Sequence, residues 1–219
     1  WGLSDGDTAW WCYDALVRLP EVDRRWCDFL ALTSGLHPSD RDELWPLFDT
    51  AGRNSPHWLV QYHWDIASRF THAAFTAHGV GIQRDSFQYA GGPKRKVDCD
   101  AVYKLLDEGL WWPILAGKRL ATVSGQAEAL AARLMDADFV RATGCGDVSW
   151  SVAKTLTCPP VHESKRLHWP RLRDELFAAE WDLLLCSAGS LSAILCDHAR
   201  RIGRKAIDIG SLDTRFLSG

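Results

Sequence analysis

The run WDLLLCSAGSLSAILCDHARRIGRKAIDIGS, from Trp181 to Ser211, constrains the fold more than any other part of the sequence. Leu183 to Cys186 is continuously apolar, the pattern of a strand covered on both faces. Ser187-Ala188-Gly189-Ser190 is a turn of small residues, and LSAILCDHARRIG is a helical stretch ending at Gly203, where a helix C-terminus favours glycine. RKAIDIGS then returns to an extended pattern. Strand, turn, helix and strand in this order form a crossover unit whose two strands lie parallel. Its small-residue turn falls at the carboxyl end of a strand, where open parallel sheets hold ligands and a helix N-terminus favours phosphate.

The same alternation extends upstream. GKRLATVSG is a strand bounded by Gly117 and Gly125, and QAEALAARLMD is a helix. SVAKTLTCPP is a strand stopped by Pro159-Pro160, and PRLRDELFAAE is the helix that leads into WDLLLCS. At the other end, WGLS reads as a short strand, SDGD as an acidic turn, and TAWWCYDALVRLP as a helix ending before Pro20. Residues 21–79 read as helical, with Pro38-Ser39 in capping position and a long amphipathic stretch after Pro56. GVGI, YAGGP and Lys94-Arg95-Lys96 read as a loop before a helix at 98–108. The expected fold is one α/β domain over residues 1–219, a Rossmann-like, doubly wound and mostly parallel sheet with a helical insertion at about 21–79.

Composition excludes several classes. With 47% hydrophobic and 24% charged residues the chain is globular in type, and a net charge of −3 offers no field for nucleic acid. No apolar run approaches the ~20 residues that span a bilayer. Seven cysteines, an odd number without a CxxC pair, point to free thiols in a reducing cytoplasm rather than to a disulfide framework. Twelve tryptophans either build a large core or line a sugar site. The chain begins at Trp1, without Met, and is expected to be an excised domain lacking something in front.

Four strand ends carry polar or glycine turns: Ser4-Asp5-Gly6-Asp7, Ser124-Gly125-Gln126, Ser187 to Ser190, and Asp208-Ile209-Gly210-Ser211. In one parallel sheet all four would share an edge. Asp5 and Asp7 around Gly6 either cap the following helix or supply two carboxylates to a divalent cation on a diphosphate. The turn at Ser187, Gly189 and Ser190 is either a phosphate cradle or an ordinary strand-to-helix connection, and Ser124-Gly125 is a weaker version of it. Lys94-Arg95-Lys96 either folds over an anion or is a solvated loop. His57, His63, His72 and His78, spaced by six, nine and six, contain no i,i+4 pair, and His162-Glu163 with His168 is not HExxH. The full dinucleotide fingerprint, the P-loop and the GxSxG elbow are missing from the sequence.

The last strand, Ala206-Ile207-Asp208-Ile209-Gly210, and the acidic first turn together resemble the GT-D-fold glycosyltransferases. That family has an apolar strand, a small-residue turn, a helix, and a final strand reading Ala-(Ile/Leu)-Asp-(Ile/Trp)-Gly; its first strand ends in Gly-Asp-Gly-Glu. The resemblance implies a metal-dependent transferase using a nucleotide-sugar donor and a glycan or other hydroxyl acceptor. It implies Mn²⁺ or Mg²⁺ on Asp5 and Asp7, with Gly6 between them. Ser124, Gly125, Ser187, Gly189, Ser190, Gly210 and Ser211 would border nucleotide and phosphate. Asp208 and Asp213 would bind sugar hydroxyls or act as base, and the Trp-rich helices would form the acceptor side. Ser4 stands where the family has Gly, Asp7 where it has Glu, and Ser211 where His is common. Asp65, Asp85, Glu128, Asp208 and Asp213 are all admissible as the base by type. The alternatives are a non-catalytic ligand-binding domain and another Rossmann-like transferase such as a methyltransferase.

Overall fold

Short parallel strands open the chain in the computed structural model, which describes residues 2–3, 40–54, 57–60, 95–98, 101–142, 149–160 and 163–218. Two units are distinguished, Trp1–Cys99 with Val161–Arg166, and Asp100–Pro160 with Leu167–Gly219.

In the first unit, β1 (Gly2–Leu3), β2 (His57–Val60) and β3 (Arg95–Asp98) form a parallel sheet in the order β1-β2-β3. Helix α1 (Arg41–Asn54) buries Leu44, Phe48 and Ala51, an i, i+4, i+7 stripe. Asp40, directly before it, is fully buried. Its carboxylate accepts the Ser164 hydroxyl and the backbone N–H groups of Lys165 (2.7 Å) and Arg166 (3.3 Å), pinning residues 164–166 to the helix start. Two sequence expectations change here. His57–Val60 is a strand where an amphipathic helix was expected, because Trp58, Leu59 and Val60 are good strand residues and strands flank them on both sides. Arg95 and Lys96 of the basic run lie in β3 rather than in a loop, and the helix after them, α2 (Ala101–Asp107), starts at Ala101 instead of Asp98.

The second unit continues with α3 (Trp111–Leu115), β4 (Arg119–Ser124), α4 (Ala127–Leu134), α5 (Ala137–Ala142) and β5 (Ser151–Thr157). It ends with α6 (Trp169–Ala178), β6 (Leu183–Ser187), α7 (Ser190–Arg201), β7 (Lys205–Asp208) and α8 (Leu212–Ser218). The four strands are all parallel, in the order β5-β4-β6-β7, with flanking helices. This is the expected α/β architecture. The central strands are the apolar ones: Leu120, Ala121, Val123, Leu184, Leu185 and Cys186 are all 0% exposed. Such strands need cover on both faces, and α4 and α7 pack on the sheet to supply it. Helix α7 ends as the sequence indicated. Gly203 (φ 78°) donates to Arg200 O at 3.0 Å and Arg204 to Ala199 O at 2.9 Å, the paired bonds of a Schellman turn.

Three of the described tryptophans, Trp111, Trp112 and Trp181, serve the core. Trp111 and Trp112 are 1% and 2% exposed. Trp112 stacks on Trp150 at 5.8 Å and meets Phe139 and Phe216 edge-on. Trp181, also 2% exposed, packs beside Phe177.

At the amino edge of the sheet, Asp182 clamps the start of β4. It accepts the Arg119 backbone N–H at 2.8 Å and the guanidinium at 3.2 and 3.1 Å, and Arg119 also reaches Glu180 at 2.9 Å. The Arg119 guanidinium, then its backbone N–H, hold the Asp182 carboxyl down at about 2 from an ordinary 3.8. A depressed carboxyl stabilises the fold above its unfolded pKa and loses that contribution as pH falls through the folded value. Stability should therefore decline between about pH 4 and pH 2. In acid titration followed by circular dichroism, Asp182→Asn should flatten that part of the curve; an identical curve would remove the clamp.

Candidate functional site

Parallel register sets the carboxyl edge of the second unit. Ser124 pairs with Thr157 on one side and Ser187 on the other, and Cys186 pairs with Asp208. Three of the four polar strand ends thus lie side by side. The fourth differs, because β1 belongs to the other, three-stranded sheet, and Asp5, Gly6 and Asp7 lie outside the described residues.

Behind β6, Gly189 takes φ 57° and ψ −137°, a conformation open essentially to glycine alone. That twist swings the chain from strand into α7 within two residues. The Ala188 N–H donates to Ser192 Oγ at 2.8 Å, and the Ser192 N–H to Gly189 O at 2.9 Å. Ser190, the first helical residue, is 2% exposed, and its hydroxyl has no hydrogen-bond partner. A buried orphan hydroxyl costs about 1–3 kcal/mol unless something satisfies it. It stands in the first turn of a 12-residue helix, where backbone N–H groups lack helical acceptors and the dipole favours an anion. Beneath the turn, burial pushes the Cys186 thiol well up, leaving a small protonated hydrophobe rather than a nucleophile.

The other two turns are tied more tightly. Ser124 is 0% exposed; its Oγ donates to Asp213 Oδ2 at 2.5 Å and accepts the Gln126 N–H at 3.0 Å. Asp213, 5% exposed, also accepts the Thr214 N–H at 2.9 Å. The sequence expectation assigns Ser124 to nucleotide or phosphate and Asp213 to sugar hydroxyls or the base. The fold brings them together as a brace between β4 and α8. Gly125 is exposed beside them, with nothing within 4 Å of where a Cβ would stand.

After β7, Asp208 is half-buried and accepts the Gly210 N–H at 3.1 Å, while the Ile209 N–H continues the ladder to Cys186 O at 2.9 Å. Gly210, at φ 53°, turns the chain so that Ser211 Oγ meets Tyr103 Oη at 2.6 Å. A cleft of about 480 Å³ opens here, lined by Tyr103, Lys104, Asp107, Ser211, Thr214 and Arg215. Arg215 lies 5.1 Å over the Tyr103 ring and 3.5 Å from the Asp107 carboxylate. Sequence reading missed Tyr103, Asp107 and Arg215. Tyr103 and Ser211 are 108 residues apart, and α8 was not recognised as a helix.

Among the described residues no group of three or more His, Cys, Asp or Glu is arranged to hold a metal ion, and no helix is long and apolar enough to cross a membrane. Lys94 and His162 also lie outside the described residues.

Comparison with known proteins gives one result. The family model described as a GT-D fold-like domain matches residues 70–216, which takes in the four-stranded sheet and all three of its polar turns. No curated protein and no solved structure matches. The model spans well over half of the 219 residues, and its fold is the parallel α/β architecture built above: the chain belongs to the GT-D-like family, a glycosyltransferase-type fold.

Proposed function

We propose that this chain transfers a sugar from a nucleotide-sugar donor to a hydroxyl acceptor, with the donor diphosphate seated at the turn between β6 and α7. The observation that carries this reading is the buried, unpartnered Ser190 hydroxyl at the start of α7, beside a glycine twist that leaves the first-turn N–H groups uncovered by a side chain. Phosphate oxygens are the acceptors such a turn needs. Family membership supplies the chemical class. Ser187 and Gly189 border the same turn, and Gly125 leaves the neighbouring strand end open. Asp208, half-buried at the end of β7, receives sugar hydroxyls, and the hydroxyl pair Tyr103–Ser211 faces the cleft that takes the acceptor.

Asp5 and Asp7 hold a divalent cation in this scheme, Mn²⁺ or Mg²⁺, with Gly6 letting the backbone turn between them. When bound, the cation offsets the charge that builds on the departing diphosphate. Support for this part comes from the residue types and the family resemblance of the acidic turn.

Calorimetric titration of uridine and guanosine diphosphates, with and without Mn²⁺, tests the scheme on wild type and on the Asp5→Asn, Asp7→Asn double variant. The double variant should lose roughly tenfold or more of the Mn²⁺-dependent affinity, ~1.4 kcal/mol. Equal Mn²⁺-dependent binding by both proteins would sink the role given to the acidic turn. Binding that survives Ser190→Ala undiminished would sink the phosphate seat.

A further inference from the structure

The opposite, amino edge of the four-stranded sheet carries a second concave surface that the transfer scheme leaves unused. A cleft of about 430 Å³ lies there, between the feet of β4 and β7 and over the start of β6. That volume is within the ~300–1,000 Å³ range of small-molecule sites. Two turns of the same design form its sides. Gly117 (φ 66°) is followed by Lys118, and Gly203 (φ 78°) by Arg204 and Lys205. Neither glycine has any atom within 4 Å of a Cβ position, so the walls stay open where the backbone turns. Leu183 pairs with both Leu120 and Lys205, which sets the two basic turns two strand spacings apart, roughly 10 Å.

Charge on this edge is unbalanced. One carboxylate, Asp182, also lines the cleft; it accepts three bonds from Arg119 and feels the Lys118 charge more weakly. Glu180 pairs with the same guanidinium, which leaves the basic residues in excess. Among the described residues Lys118, Arg204 and Lys205 make no ion pair with a carboxylate. Arg204 is nevertheless held in place. Its guanidinium lies 4.7 Å over the Trp181 ring, and Nη1 donates to Ala179 O at 2.8 Å. Trp181 is itself locked, 2% exposed with its indole N–H on Leu176 O at 2.8 Å. A fixed guanidinium with donors remaining, with the Lys205 ammonium on the same wall and that of Lys118 on the opposite one, has the donor set for a tetrahedral dianion.

We propose that this amino-edge cleft is a second anion site, binding the phosphate group of a soluble phosphate ester through Lys118, Arg204 and Lys205, separate from the donor seat at the carboxyl edge. Phosphate fits better than a single carboxylate because three basic residues line one concave surface. The site needs no divalent cation, since its charge complement is built from side chains. It would give the protein a place to sense or retain a phosphorylated metabolite on the face away from the transfer chemistry.

Inorganic pyrophosphate is the probe, titrated into the full chain in the presence of a chelator and followed through backbone amide shifts. The expected result is saturable shifts at 117–118 and 203–205, with affinity reduced tenfold or more in Lys118→Gln, Lys205→Gln. The Ser190→Ala and Asp5→Asn, Asp7→Asn variants should retain those shifts, which separates failure here from failure of the donor scheme. Arg141→Gln with Arg173→Gln removes the same charge elsewhere on this unit; an equal loss of affinity in that variant would show general attraction and overturn the site. Shifts confined to 187–190, no saturable shifts at all, or binding only to phosphatidic acid vesicles would overturn it as well. Matching thermal midpoints across the variants confirm that each is folded.

Discussion

Trp111→Ala should lower the unfolding free energy of the unit formed by Asp100–Pro160 and Leu167–Gly219 by about 3–5 kcal/mol, read as a shifted urea midpoint in far-ultraviolet circular dichroism. Trp111 is 1% exposed and, among the described residues, the largest of the fully buried side chains. Its indole N–H donates to Val102 O at 2.8 Å, tying α3 back to α2, and its ring meets Phe216 of α8 at 6.4 Å. Alanine removes the ring volume and the hydrogen bond to Val102 O together. Trp111→Phe keeps most of the ring and loses the hydrogen bond, so its cost should be smaller, about 1 kcal/mol. Because α8 carries Asp213 and follows directly on Ser211, the alanine variant should also disturb the hydroxyl pair at Tyr103. Indistinguishable midpoints for wild type and alanine would mean that the aromatic cluster is not the centre of this unit.

Gly189→Val should cost about 1–3 kcal/mol of stability and abolish nucleotide diphosphate binding at the β6–α7 turn. At φ 57° and ψ −137° a branched side chain meets the backbone whichever rotamer it adopts, so the turn must change shape. The change moves the first-turn N–H groups and the Ser190 hydroxyl together. Gly125→Ala at the neighbouring strand end is the natural comparison. That glycine has no positive φ and nothing within 4 Å of a Cβ, so its substitution should stay within about 0.5 kcal/mol. Calorimetry and thermal melts on both variants decide it. A Gly189→Val protein that binds as wild type does would show that the turn holds no phosphate.

The strands of the C-terminal half were legible because their signals are local. RLATVS and LLLCS are short apolar runs bounded by Gly, Pro or Ser, and Gly203 marks the end of α7 where glycine relieves the left-handed turn. His57–Val60 was not legible for a physical reason. Four residues are too few for periodicity to separate a buried strand from a helix, and partners distant in sequence decide the outcome. The turn at Gly189 could be picked from residue types alone, whereas the roles of Ser124 and Asp213 could not. They are 89 residues apart, and each looks like an independent polar group until the fold joins them. Tyr103 and Arg215 had no signal of their own, since a tyrosine and an arginine on two short helices are ordinary until both border one cleft. The acidic pair Asp5 and Asp7 rests on the resemblance, because it precedes the matched residues 70–216 and lies outside the described ones.

The strand order also bears on how this chain is made. β4 is central, yet its partner β6 is joined to it across a long interval: Arg119 and Asp182 are 63 residues apart. A ribosome adding about 5–20 residues per second leaves β4 waiting several seconds for that neighbour. Throughout that interval one side of β4 presents unpaired backbone groups on an apolar strand, the kind of edge that recruits other chains. Fragments ending before Leu183 should therefore accumulate as inclusion bodies, while those reaching Ser218 remain dispersed. The order of strands in the finished sheet thus sets the stretch of synthesis over which a chaperone has most to protect.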